Sequence, residues 1–369
     1  MEIGECSVEK INFWKDKKVF ITGHSGFKGT WLSIWLHQLG ARITGYSDAP
    51  PTDPNLFQCC NGDQLLHSIT GDIRDSNRLE EAIREADPDI VFHLAAQPLV
   101  REAYRRPIDT YATNVMGTVN VLEAVRQSAL RGGAIKAFVN ITTDKCYENR
   151  EWLWGYREND PLGGFDPYSN SKACSELVTS SYRNSFFHPD RYKEHGVAIA
   201  SARAGNVIGG GDWAAERLIP DSFKAICSRA PLVLRSPGSI RPWQHVLEPL
   251  SGYLLLGQRL LEEGIRFGES WNFGPEDSDA RSVEWVVRQF CSLWGEGATY
   301  EVQADNRLHE AALLKLDCSK AKLVLGWHPR WDLDTTLVHT VEWYKAYTKQ
   351  ENLLEICLEQ IRQYEQCPS

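Results

Sequence analysis

Tyr168 and Lys172 stand four residues apart in "DPYSNSKACSE", the spacing that puts two side chains on one face of a helix, one turn from each other. A phenol beside an ammonium is an acid–base pair: the cation stabilises the phenolate, draws the tyrosine down from about 10, and makes Tyr168 a general base near neutral pH. Tyr-x-x-x-Lys also arises by chance, as a surface cation near an aromatic ring, so context decides. Upstream, "NITTDKCYE" ends an apolar run in Thr143, Asp144 and Lys145, polar residues at the carboxyl end of an expected strand, where open α/β sheets bind their ligands. These five residues form the candidate catalytic group.

A second stretch, "VFITGHSGFKGTWL", carries Gly23, Gly26 and Gly29 three apart, directly after one apolar run and directly before another. Three glycines need only mark a tight corner. At a first strand-to-helix turn, however, they let a pyrophosphate approach the open N–H groups of a helix start, so the pattern favours dinucleotide binding. Asp48 follows the next strand where a carboxylate accepts hydrogen bonds from an adenosine ribose, which favours NAD over NADP; Asp53 in "SDAPPTDP" is the rival. Asp72 and Ile73 in "GDIRD" suit an adenine pocket, and a helix cap is an equal use of the aspartates. His93 ends a nearly all-apolar run and reads as a packed histidine rather than a catalytic one.

Positioning these residues requires a sheet. "KVFITG", "ARITGYS", "DIVFHLAA", "AFVNITT" and "VAIASARAG" read as buried strands, alternating with helical stretches whose apolar residues return every three or four positions. The alternation predicts an α/β fold, a doubly wound parallel (Rossmann) sheet over residues 1–205. From 206 to 369 the Gly-, Pro- and Trp-rich loops predict a smaller mixed α/β domain, mainly for substrate, with chain crossovers between the two. A net charge of -9 over 369 residues argues against nucleic-acid binding. Ten scattered cysteines show no metal or disulfide spacing, so no metal is expected and the thiols read as reduced and cytoplasmic. The N-terminal "MEIGECSVEKINFW" lacks the basic start and apolar centre of a leader, and no run is long enough to span a membrane.

"TGHSGFKGTWL", "AAQPLVR", "TTDKCYEN", "DPYSNSK", "ARAGNVIGGGDWA", "RLIPD", "RPWQHV" and "LKLD" together resemble the extended short-chain dehydrogenases/reductases, specifically the nucleotide-sugar 4,6-dehydratases, and among them the group acting on CDP-glucose. The resemblance runs from about residue 12 to residue 347, and "TTDKCYEN" and "GGGDWA" are its most specific parts. It implies NAD as cofactor, with Gly23, His24, Ser25, Gly26, Phe27, Lys28 and Gly29 at the pyrophosphate, Asp72 and Ile73 at adenine, and Ala95, Ala96 and Gln97 along the middle. It implies Tyr168 and Lys172 as the catalytic couple, Thr143 on the sugar's 4-hydroxyl and Asp144 as the acid. Asn114 matches a position that orders the site, and a bend in its helix is an equal reading. Asn206, Arg217 and Arg241 fall in stretches that would grip the nucleotide diphosphate, a task suited to arginine's planar fork.

The implied reaction oxidises C4 of the hexose, eliminates water across C5 and C6, and returns the C4 hydrogen to C6, giving a precursor for deoxysugars and surface polysaccharides such as O-antigen. Many dehydratases carry a glutamate where this chain has Lys145. A lysine near its ordinary pKa of about 10.4 is a poor base at neutral pH, so Lys145 either loses its proton or stays charged and stabilises the enolate. Two rivals stand beside dehydration: a nucleotide-sugar epimerase, which needs no acid such as Asp144, and a catalytically silent NAD-binding protein, which needs none of these residues. The resemblance also implies a homodimer or homotetramer, built on the helices of "TNVMGTVNVLEAV" and "SNSKACSELVTSSYRNSFF".

Overall fold

The computed structural model describes residues 13–295, 297–303 and 313–368. Residues 1–12, on which the reading of no leader largely rests, lie outside that set. Along the first half run β1 (Lys18–Thr22), α1 (Phe27–Gln38), β2 (Arg42–Ser47), β3 (His67–Thr70), α2 (Ser76–Ala86), β4 (Ile90–His93) and α3 (Val100–Arg105). There follow α4 (Pro107–Tyr111), a π-helical turn (Ala112–Met116), α5 (Gly117–Leu130), β5 (Ala137–Ile141), α6 (Pro167–Ser185) and β6 (Ala198–Ala204). The second half adds β7 (Val207–Ile208), α7 (Leu218–Cys227), β8 (Leu232–Leu234), β9 (Ile240–Pro242), β10 (Gln244–His245), α8 (Leu247–Glu263) and β11 (Ser270–Phe273). It closes with β12 (Ala280–Ser282), α9 (Val283–Trp294), β13 (Tyr300–Val302), α10 (Leu333–Thr348) and α11 (Leu353–Gln366).

Seven strands form one parallel sheet in the order β11-β6-β5-β4-β1-β2-β3. Its inner strands are buried on both faces, which explains why their sequences read as continuous apolar runs. Val19 and Ile21 pack into one core and Phe20 into the other; Ile90 and Phe92 likewise oppose Val91, the two-residue alternation of a strand sandwiched between helical layers. The chain runs outward from β1 toward β3 and from β4 toward β11, so the order reverses between β1 and β4. That switch point is where such sheets open a ligand crevice, and here it separates the glycine turn from Leu94–Gln97.

Beyond residue 205 the chain builds three small two-stranded sheets, β7 with β10, β9 with β12 and β8 with β13. It also returns to the first lobe. β11 completes the main sheet beside β6, and α11 lies against α1, with Trp35 Nε1 donating to Glu365 Oε1 at 2.8 Å. Among the described residues no helix is long and apolar enough to cross a membrane.

Candidate active site

The glycine turn leaves β1 through Gly23, whose φ of +77° suits only glycine and whose added Cβ would stand 2.7 Å from the Ala95 nitrogen. A Cβ on Gly29 would stand 2.1 Å from the Gly23 carbonyl oxygen, so α1 packs directly on the turn. Gly26 caps α1 with extended backbone and no side-chain bond, leaving the first N–H groups of the helix open toward the cleft. Ser25 bonds the Ser47 hydroxyl and the Asp48 carbonyl, and Phe27 lies against Gly209. His24 departs from expectation: its ring turns away from the cleft, Nε2 meets Ser68 Oγ at 2.8 Å, Phe57 packs edge-on, and burial pushes its pKa down to about 4. Only its backbone remains for a phosphate. Burial also brings the Lys28 ammonium down to about 8, and the cations of Arg217 and Lys172 push the same way.

At one end of the cleft Asp48 accepts from the Ala49 N–H at 3.0 Å. Asp72 accepts from the Arg74 backbone and guanidinium, each at 2.8 Å, and the guanidinium holds its carboxyl below the usual range. Ile73 packs beneath Gly117 at the head of α5. Ala95, Ala96 and Gln97 form the wall after β4. Asn114 sits in the π-helical turn, off the cleft wall: Oδ1 accepts from Gln97 N at 2.8 Å, while Nδ2 donates to Gln97 O at 3.0 Å and to Ser171 Oγ at 2.8 Å. It thereby ties that wall to α6. A π-turn inside a helix is a frequent mark of a functional position. His93 is the packed residue the sequence suggested, held between Thr22 Oγ1 at 2.7 Å and Thr118 Oγ1 at 3.1 Å, with burial taking it down to about 3.

The candidate catalytic group assembles where β5 ends. Asp166 caps α6, accepting from the Tyr168 and Ser169 N–H groups at 3.0 Å each, and Pro167 at the first helical position presets the backbone. Lys172 Nζ donates to the Ile141 carbonyl at 3.1 Å. Thr143 Oγ1 donates to Asp144 Oδ1 at 2.9 Å, and Thr143 acts on the neighbouring Tyr168 phenol to lower its pKa. Lys145 follows on the same short turn, its charge acting on Asp144. Asp144 is 1% exposed, and burial raises its pKa, opposed by Lys145, the Thr143 bond, Arg241 and Lys28. Its Oδ2 has no hydrogen-bond partner among the described residues. A Cβ at Gly205 would come within 3.1 Å of that oxygen, so glycine keeps the space beside it clear.

The expected lowering of Tyr168 does not hold in this state. Burial pushes the phenol up to about 12, beyond what Thr143 and the Arg217 charge offset. Lys172 is itself brought down to about 8 by the same desolvation. A buried couple holds its phenolic proton until further positive charge arrives.

Across the crevice, Arg217 precedes α7 and pairs with Asp212 at 2.9 Å. Arg241 on β9 puts a cation near Asp144, and Asn206, whose carbonyl accepts from Gln244 N at 3.0 Å, lines the wall between β6 and β7. Three features escaped the sequence reading: Gly205, the Arg74 clamp on Asp72, and Arg101 and Arg105 of α3, each 3.5 Å from Glu216 in the facing loop. Gly205 and the two arginines have no local spacing that marks them, because their contacts come from segments distant in the chain; Arg74 stands only two residues from Asp72, a spacing the sequence does carry. The cleft from Asp48 to Arg241 encloses about 1410 Å³, more than one drug-sized ligand fills. Among the described residues no cluster of three or more His, Cys, Asp or Glu could hold a metal.

The family model described as GDP-mannose 4,6 dehydratase matches residues 20–340. A CDP-glucose 4,6-dehydratase of Salmonella typhimurium is 57% identical over 353 residues, covering 96% of this chain and 97% of its own. Among solved structures, a dTDP-glucose 4,6-dehydratase of Bacillus anthracis in complex with NAD superposes with a TM-score of 0.74 at 24% identity, over 92% of this chain and 99% of that one. A UDP-glucose 4-epimerase of Thermotoga maritima gives 0.75 at 19% identity, over 89% and 99%. At such identities these two structures speak for the fold alone. With the family match spanning most of its length, the chain belongs to the GDP-mannose 4,6 dehydratase family, the nucleotide-sugar dehydratases of the extended short-chain dehydrogenases/reductases.

Proposed function

We propose that the protein is an NAD-dependent CDP-glucose 4,6-dehydratase, a hydro-lyase that converts CDP-D-glucose to CDP-4-dehydro-6-deoxy-D-glucose and water. The observation that carries dehydration is Asp144: a buried carboxyl in the cleft wall, one oxygen on Thr143 and the other without a partner among the described residues, its charge acting on the Tyr168 phenol nearby. An elimination needs an acid beside a base, and a 4-epimerase does not. The CDP-glucose assignment rests on the Salmonella relative.

The cleft fits the cofactor. A Cβ on Gly26 would meet only the Gly23 carbonyl, at 3.4 Å, and would project over the turn, so glycine leaves that floor free for a pyrophosphate. The turn from Gly23 to Gly29 would hold the pyrophosphate, Asp48 the adenosine ribose, Asp72 and Ile73 adenine, and Ala95 to Gln97 the central part. When bound, NAD supplies the acceptor for the C4 hydrogen and a positively charged ring beside the couple. Tyr168 takes the 4-hydroxyl proton, Thr143 fixes that hydroxyl, and Lys172 contributes the charge that favours the phenolate. Asp144 delivers a proton to the departing 6-hydroxyl, for which its raised pKa suits it. Lys145 acts at C5, and Arg217, Arg241 and Asn206 hold the diphosphate, with residues 206–369 mainly serving the nucleotide sugar.

The helices α4 to α6 leave Ile108 83% and Leu177 57% exposed, which supports a homodimer through that face. The nine described cysteines are all unpaired, which supports a cytoplasmic setting. Incubation with CDP-, dTDP-, UDP- and GDP-linked hexoses tests the whole reading: CDP-glucose should lose water and give a 4-keto product with alkaline absorbance. A product of unchanged mass would make the protein an epimerase, and no product from any donor would leave a silent binder.

A further inference from the structure

Glu176 extends the spacing of the catalytic couple by one more turn of α6, and it is fully buried. Its carboxylate accepts from Thr142 Oγ1, from Ser201 Oγ at 2.7 Å and from Arg203 Nη2 at 2.8 Å, so it joins the helix to β5 and β6. Two consecutive residues at the end of β5 thus each hold one turn of α6. The Ile141 carbonyl takes Lys172 and the Thr142 hydroxyl takes Glu176, and Thr143, next in the chain, acts on the Tyr168 phenol. We propose that Glu176 is a positioning residue for the Tyr168–Lys172 couple: its carboxylate fastens α6 in register with the end of β5 and supplies the counter-charge to the buried Lys172 ammonium.

The surroundings give that charge weight. Around Lys172 stand Tyr168 and Glu176 on its own helix, Cys146 after β5, His93 on β4 and Lys28 from the glycine turn. Around Glu176 stand Arg203 on β6, Arg183 on α6 and the Cys146 thiol. His93 is kept neutral and Cys146 is kept protonated by burial. Of these groups only Glu176 is negative near neutral pH, its carboxyl held below the usual range chiefly by Arg203. Without it, Arg203 would be a buried cation without its ion-pair partner, and Lys172, which already faces Lys28, would lose the charge that helps it hold its proton.

The proposal rests on the assignment of Tyr168 and Lys172 as the couple, and its test is readable without turnover. The side-chain carbon and nitrogen resonances of Lys172, assigned by their loss in Lys172→Met, are titrated in the wild-type protein and in Glu176→Gln. Proton binding by Lys172 should weaken about tenfold or more in Glu176→Gln. An unchanged or tighter Lys172 proton overturns the counter-charge. Thr142→Val keeps the ion pair, and therefore the fold, while removing the fastening bond; kcat on CDP-glucose should fall about threefold to tenfold with KM altered less than about twofold. An unaltered kcat overturns the fastening role, and Thr142→Val decides the proposal if Glu176→Gln does not fold. A wild-type protein inactive on every nucleotide sugar would defeat the functional reading and leave the Lys172 titration to decide Glu176.

Discussion

At the scale of the residue, the site separates two proton tasks by environment. Burial raises Asp144 and so favours the acid form; it raises Tyr168 as well, against the Arg217 charge, so in the proposed reaction the phenol becomes a base only when further positive charge arrives. Asp144→Asn should leave formation of reduced cofactor in a single turnover within about threefold of wild type while slowing water loss about 100-fold or more; equal impairment of both steps would remove Asp144 as the acid. Lys145 has two possible tasks at C5, and arginine distinguishes them because it keeps the charge and cannot give up its proton. If Lys145 stabilises the enolate, Lys145→Arg should retain most of the exchange of the C5 proton with deuterated solvent and Lys145→Met should lose it; if Lys145 is the base, both variants should lose it. The couple was legible in the sequence because its spacing is local. Its protonation was not, since the desolvation that pushes Tyr168 to about 12 comes from packing by distant segments.

At the scale of the element, the glycine turn works because α1 approaches β1 more closely than any side chain allows. Gly29→Ala would drive a Cβ to within 2.1 Å of the Gly23 carbonyl, so the turn must open, at a cost of about 1–3 kcal/mol in stability. We expect a lowered melting temperature and loss of NAD on gel filtration; unchanged NAD retention would show that the close approach is not needed. The inner strands were readable because both faces are buried and the apolar runs are unbroken. β11 was not: "SWNF" is four residues long and pairs with β6 across a separation of about seventy residues, a contact no local pattern encodes. The small paired strands of the second half are two or three residues each, too short for alternation to appear. The π-helical turn around Asn114 hides inside a sequence whose period is that of an ordinary helix.

At the scale of the whole molecule, the chain's return to its first lobe depends on Glu248 of α8, which accepts from the Trp331 N–H at 2.7 Å and the Tyr364 hydroxyl at 2.8 Å. Burial raises Glu248 from its ordinary 4.5 to about 7. Its contribution to stability is therefore fully present below about 4.5 and lost as pH rises through about 7. Relative to wild type, Glu248→Gln, which cannot ionise, should gain a few degrees in melting temperature as pH climbs from about 6 to about 8; a constant difference would place the titration elsewhere. The two lobes that Glu248 helps hold together form one cleft, and the proposed reaction is internal to a single bound sugar. The most direct measurement is therefore the fate of deuterium placed at C4 of CDP-glucose. The account predicts that it appears in the C6 methyl group of the product, seen by NMR and mass spectrometry. Deuterium found in solvent, or on released cofactor, would contradict it.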